Sequence, residues 1–236
     1  MKIKANALNK APVCKEITID DATRVFIVGD LDAHFDRLQA ELNKVNFNPE
    51  QDVLFSLGDV IDRGPDSIKL LTYLQQIGAH MVLGNHEHMM LEALLGRDIM
   101  AMRLWIQNGG SWHQSESLPD LLKMCKWLVQ QPLSFKLHYQ GLTIGISHTL
   151  PEEWDWNQFP HRQSDVVWNL LWERERFVRN SHVSNHGVDF SVHGHNSTQQ
   201  IRWISNSLHI DTSFYGRPTV IDLTTIIAQF RANIAQ

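Results

Sequence analysis

The chain has 236 residues, 43% of them hydrophobic and 20% charged, a globular balance that allows one domain (1–236) with a sizeable core and shows no bias toward disorder. Its 21 basic and 26 acidic residues leave a net charge of −5, which argues against a nucleic-acid platform relying on phosphate neutralisation. Cys14 and Cys125 form no CxxC pair, no run approaches the ~18 apolar residues of a spanning helix, and the start lacks an apolar signal core, so the expectation is a cytoplasmic protein with no membrane partner.

In chain order, a short apolar run ending abruptly in Asp, Asn or His recurs five times. Val25-Phe26-Ile27-Val28 enters Gly29-Asp30, and Val53-Leu54-Phe55-Ser56-Leu57 enters Gly58-Asp59. Met81-Val82-Leu83 enters Gly84-Asn85-His86-Glu87. Later, Leu142-Thr143-Ile144-Gly145-Ile146 leads to Ser147-His148, and Phe190-Ser191-Val192 to His193-Gly194-His195. Each run reads as a strand. Helical spacing fills 35–45 and 67–77 between the first three, as βαβ units require. Residues 89–131 read as a helical insertion broken at Asn108-Gly109-Gly110, with Trp105 and Trp112 flanking the break. Residues 151–177, rich in tryptophan and charge, read as loop followed by helix. Strand character returns at 200–204, 207–210 and 219–223, with Gly216-Arg217-Pro218 as a turn.

In an open α/β sheet the carboxyl ends of the strands face one crevice, where ligands bind. Asp30 and Asp59 bring carboxylates there, Asn85 a carbonyl, and His148 and His195 imidazoles. That set suits Mn²⁺, Zn²⁺ or Fe over Ca²⁺. With Asp32 in reach there are six candidate ligands, too many for one tetrahedral ion, which points to two cations sharing a carboxylate as in phosphate-ester hydrolysis. A lone Gly-Asp after a strand is usually only a turn; five such exits in this order are not explained by turn chemistry.

The blocks GDLDAHFDRL, GDVIDRGPDS, GNHEHMMLEAL, ISH and VHGHN resemble the metal-dependent phosphoprotein phosphatases, in their bacterial and phage branch of small serine/threonine phosphatases. The resemblance covers about residues 24–223 and implies a calcineurin-like four-layer αββα sandwich with a dinuclear centre, most simply Mn²⁺, with Fe or Zn as alternatives. It implies that Asp30 and Asp32 hold the first metal, that Asp59 bridges, and that Asn85, His148 and His195 hold the second. Arg63 and one of Arg174 and Arg176 would grip the phosphate, His86 would be the general acid, and Asp62 would orient it. A metal-activated hydroxide would attack in line.

One departure is conspicuous. The family pattern GDxHG is here Gly29-Asp30-Leu31-Asp32-Ala33, with Asp32 for a histidine ligand and Ala33 for a glycine. A variant that still binds two metals, a substitution trapping an inactive state, and a pseudoenzyme are the competing readings, and the first is our expectation. The expected activity is hydrolysis of phosphoserine or phosphothreonine in proteins, and of small phosphate esters. The alternatives are hydrolysis of symmetrical dinucleoside tetraphosphates and an inactive domain that binds phosphorylated partners.

Overall fold

The computed structural model describes residues 3–234, so residues 1, 2, 235 and 236 of the expected domain lie outside the described residues. The elements run β1 (Lys15–Thr18), β2 (Val25–Val28), α1 (Phe35–Lys44), β3 (Val53–Ser56), α2 (Ser67–Gln76), β4 (His80–Met81), α3 (Asn85–Leu94) and α4 (Ile99–Gln107). A 3-10 turn (Gly110–Ser115), α5 (Leu118–Leu128), β5 (Ser134–Tyr139), β6 (Leu142–Ser147), α6 (Gln163–Leu171) and α7 (Glu175–Arg179) follow. The chain ends with β7 (Phe190–His193), β8 (Arg202–Ile204), β9 (Ser207–His209), a second 3-10 turn (Ser213–Tyr215), β10 (Val220–Asp222) and α8 (Leu223–Ile234).

The strand exits do not share one open sheet, as the crevice argument assumed. They divide between a four-stranded sheet, β10-β2-β3-β4, and a six-stranded sheet, β1-β5-β6-β7-β9-β8. Within β2, Val25 and Ile27 face one way and Phe26 and Val28 the other, the period-2 pattern of a strand buried on both faces. Val25, Ile27 and Phe55 pack against Phe135, Leu137, Ile144, Ile146, Phe190 and Val192, which joins the sheets face to face. On the other side Phe26, Val28 and Leu54 meet Leu38 and Leu42 of α1 and Leu70, Leu71 and Leu74 of α2. This is the mixed α/β, two-sheet architecture that the resemblance implies. It succeeds because both sheets end in the same region, so exits from β2, β3 and β4 face those from β6 and β7.

The outer face of the six-stranded sheet is polar: Ser147, Ser191, His193, Ser207 and His209 are all buried there. Arg176 lies over this layer, fully buried, donating to the carbonyls of Pro151 (3.0 Å), Glu152 and Val183 (2.7 Å). Of Arg174 and Arg176, one of which the resemblance assigns to the phosphate, Arg176 is spent on the backbone and Arg174 turns toward the strand exits. Two residues apart at the start of α7, they cannot face the same way. Arg176→Met should strand three carbonyls and lower unfolding stability by about 3 kcal/mol. Arg174→Met, on the surface, should cost under about 1 kcal/mol. Urea denaturation of the two variants checks this contrast.

Candidate metal centre

Glu87 assembles the two most informative sequence blocks. Its Oε2 accepts from the amides of Asp59 (2.9 Å) and Gly84 (2.8 Å), and its Oε1 from those of Val60 (2.8 Å) and Ile61 (3.3 Å). The bond to Gly84 is the carboxylate half of a capping box at the start of α3. Burial pushes the Glu87 carboxyl up to about 7 and Asp59 adds to the rise, while the amides of Gly84 and Val60 pull it down. Asp32, Ala33, Asp59, Asp62, Arg63 and His195 hold positive φ between 46° and 74°. Backbone strain of this kind collects where a site dictates side-chain direction.

Asp59, His148 and His195 converge, their ligand atoms lying within 4.8 Å of one another and all three residues buried. His148 Nδ1 donates to the Leu57 carbonyl (2.7 Å), which fixes the tautomer and leaves Nε2 with a lone pair. That Nε2 faces His195 Nδ1 at 3.0 Å, Asn85 Oδ1 at 3.1 Å and Asp59 Oδ1 at 3.5 Å. Burial lowers the pKa of His148 against the pull of Asp59, and burial and His148 hold His195 well below the usual imidazole range. His148 Nε2, Asn85 Oδ1 and Asp59 Oδ1 thus turn acceptor atoms toward one spot, with His195 Nδ1 beside them. A cation there satisfies them all, so Asn85, His148, His195 and Asp59 fit a metal.

The neighbouring position fits less completely. Asp30 accepts the His195 amide on both oxygens, at 3.0 and 3.2 Å. Burial raises its pKa well above the ordinary value, and Asp211, Asp59 and Asp32 add to the rise. This excess of buried negative charge calls for a cation beside Asp30 and Asp59. Asp32 is engaged elsewhere: Oδ1 accepts from Arg63 Nη1 at 2.6 Å and Oδ2 from Ser213 Oγ at 2.7 Å. Asp211 was not singled out from sequence, although it follows Ser207–Ile210 as another strand exit in Asp. It is buried and accepts from Ser197 Oγ at 2.8 Å and the Ser213 amide at 3.0 Å.

At the mouth, Arg63 has a side chain 48% exposed, and its Nη2 donates to His86 Nε2 at 2.7 Å. His86 Nε2 is thereby an acceptor, so Nδ1 carries the proton and donates to Asp62 Oδ2 at 2.6 Å. Burial opposes a charge on His86, but Asp59 and Asp62 outweigh it and raise its pKa. Arg174 Nη1 donates to the His195 carbonyl (3.2 Å) and Asn196 Oδ1 (3.1 Å), at the exit of β7. His88 and His193 stand apart from this cluster. His88 bonds the Lys4 carbonyl and the Trp172 indole, and His193 bonds Ser191 Oγ.

Glu87→Gln would turn one acceptor into a donor facing backbone amides. Chemical denaturation should show a loss of about 3 kcal/mol, and calorimetric binding of divalent cations should weaken with it.

Residues 23–216 match the family model described as calcineurin-like phosphoesterase. Serine/threonine-protein phosphatase 1 of Salmonella typhimurium is 31% identical over 197 residues, covering 80% of this chain and 85% of that protein. A symmetrical bis(5'-nucleosyl)-tetraphosphatase of Hamiltonella defensa is 41% identical over 112 residues, covering 46% of this chain and 38% of that protein. A solved structure described as a putative diadenosine tetraphosphatase superimposes with a TM-score of 0.61 at 20% identity, covering 88% of this chain and 93% of that one, a likeness of fold alone. With the family match spanning most of its length and a bacterial relative similar across four-fifths of it, the chain belongs to the calcineurin-like phosphoesterase family.

Proposed function

We propose that the chain is a Mn²⁺-dependent phosphomonoesterase acting on phosphoserine and phosphothreonine in proteins, working in the cytoplasm on phosphorylated partners. The observation that carries the reading is the His86–Asp62 pair beside the convergent metal ligands, with Arg63 at the mouth. Asn85, His148 and His195 would hold one cation, Asp30 the other, and Asp59 both. This oxygen-rich, two-imidazole set favours Mn²⁺, with Fe or Zn as alternatives. Bound there, divalent cations would supply Lewis-acid polarisation of the phosphate and an acidified water.

The chain's own residues do the rest. Arg63, beside Asp32 and His86, and Arg174, at the exit of β7, would supply the guanidinium groups that hold phosphate oxygens. When Arg63 turns to the phosphate it leaves His86 Nε2, which can then carry the proton that the departing alkoxide needs. Asp62 keeps the ring oriented throughout by holding Nδ1–H. Asp32, by pairing with Arg63, places that arginine instead of completing the first metal's shell, and Ser213 holds Asp32 in turn. Arg176 is not part of this proposal, being occupied by carbonyls. A second reading, hydrolysis of symmetrical dinucleoside tetraphosphates, draws on the higher identity of that relative. That identity spans only 46% of this chain.

The deciding experiment titrates Mn²⁺ into metal-free protein and compares turnover of a phosphoserine peptide, an aryl phosphate and diadenosine tetraphosphate. The phosphopeptide and aryl phosphate should be hydrolysed, and Asp59→Asn should lower their turnover by about 10³ or more by disrupting both cation positions. Tetraphosphate turnover exceeding both would replace the reading.

Asp32→His tests the departure from the family pattern. The parent should already turn over, and the variant should raise KM by freeing Arg63, with kcat changed less than about tenfold. A parent without measurable turnover, rescued by the histidine, would show the inactive binding domain instead.

A further inference from the structure

Asp62 is buried with no exposure, holds a left-handed backbone (φ 74°), and accepts more than the His86 proton. Trp105 Nε1 donates to its Oδ1 at 2.9 Å and Oδ2 at 3.0 Å, and Trp112 Nε1 donates to Oδ1 at 2.6 Å. Both indoles come from the helical segment between α3 and β5: Trp105 from α4, Trp112 from the 3-10 turn. The chain break there is shaped for this delivery. A Cβ on Gly109, which holds φ 107°, would come within 2.7 Å of the Arg63 amide, and one on Gly110 within 2.5 Å of the Trp105 ring. Only glycine lets the segment lie this close to the loop carrying Asp62 and Arg63. His113 stacks on Trp105 at 4.7 Å, and the two indoles meet edge to face at 5.9 Å.

We propose that Trp105 and Trp112 are positioning residues for the general acid, holding Asp62 by two indole N–H bonds so that His86 Nε2 faces the leaving group. The inference rests on the phosphomonoesterase reading and deepens it. A buried carboxylate with a single donor is costly and free to rotate. Three donors fill most of its acceptor positions and leave one rotamer. An indole N–H is neutral, donates only, and does not titrate, so it secures the carboxylate without adding charge or competing for the His86 proton. The segment between α3 and β5 is thus bonded to the carboxylate that holds the acid.

The test is Trp112→Phe, which keeps ring packing and removes the donor, with Trp105→Phe as a second variant. With Mn²⁺-loaded enzyme, kcat on the phosphoserine peptide should fall about tenfold, a fraction of the worth of a positioned acid, with KM within about twofold. The loss on 4-nitrophenyl phosphate, whose leaving group needs little protonation, should be under about threefold. In a His86→Asn background the same substitution should cost less than about twofold, because the group being positioned is gone. Equal losses in both backgrounds, or on both substrates, overturn the proposal. Should the parent hydrolyse neither ester, the phosphomonoesterase reading fails on that result alone. The positioning role is then decided by NMR of the full chain: Trp112→Phe should broaden the downfield His86 Nδ1–H signal, and an unchanged signal overturns it.

Discussion

The structure hangs on one buried carboxylate gathering four backbone amides. Glu87 reaches from the first turn of α3 to the loop after β3, and its charge is stabilised there by N–H groups instead of a cation. The loop then has no freedom to straighten, and its residues accept left-handed geometry that an isolated chain would avoid. The same closeness dictates the glycines. A side chain on Gly84 would strike the Asp59 carboxylate, and one on Gly58 (φ 88°) would meet the Gly84 amide. Asp59, Asp62, Arg63, Asn85 and His86 all depend on this junction for their directions.

Around it, acids are compensated by four different means, and the differences explain the division of labour. Glu87 has amides, Asp62 has neutral N–H donors of His86 and two tryptophans, and Asp32 has an arginine. Asp59 is surrounded by imidazoles which, against its burial, hold its carboxyl below the usual range. Asp30 has only the His195 amide, and burial together with neighbouring acids pushes it the other way. The unbalanced buried charge is therefore local, lying between Asp30 and the facing rings of His148 and His195. A pair of cations placed there removes the acid repulsion and the lone-pair conflict at once.

Much of this was readable because strand ends are local events. An apolar run stopping in Gly-Asp, Gly-Asn-His-Glu or Ser-His declares both the strand and the chemistry at its exit, so Asp30, Asp59, Asn85, His148 and His195 could be named without knowing that two sheets were involved. The same rule would have found Asp211 had it been applied to the weaker strand at 207–210. Other features were hidden by distance or weakness of pattern. Edge strand β1 is mostly exposed and shows no apolar alternation. β5 has mixed polarity and α8 follows β10 without a break. The choice between Arg174 and Arg176 turns on which side of a five-residue helix each occupies, and the partners of Asp62 lie 43 and 50 residues away. Sequence marked Trp105 and Trp112 only as flanking a turn.

The substitution of Asp32 for the expected histidine is consistent with these charge relations. A histidine in that place would remove the carboxylate that pairs with Arg63 and leave its nearly half-exposed side chain with the His86 ring as its remaining hydrogen-bond partner. The carboxylate instead gives it a fixed resting place, shared with His86 Nε2, from which a phosphate could draw it. Ser213 completes the arrangement by holding the second oxygen of Asp32, which ties the loop after β9 to the phosphate-facing arginine. The negative charge that Asp32 adds is thus taken up by the arginine, and what the first metal's shell would lose is a neutral imidazole. On the proposed assignment a first cation would be held chiefly by Asp30 and Asp59, and would bind more weakly than a second one that also has Asn85, His148 and His195.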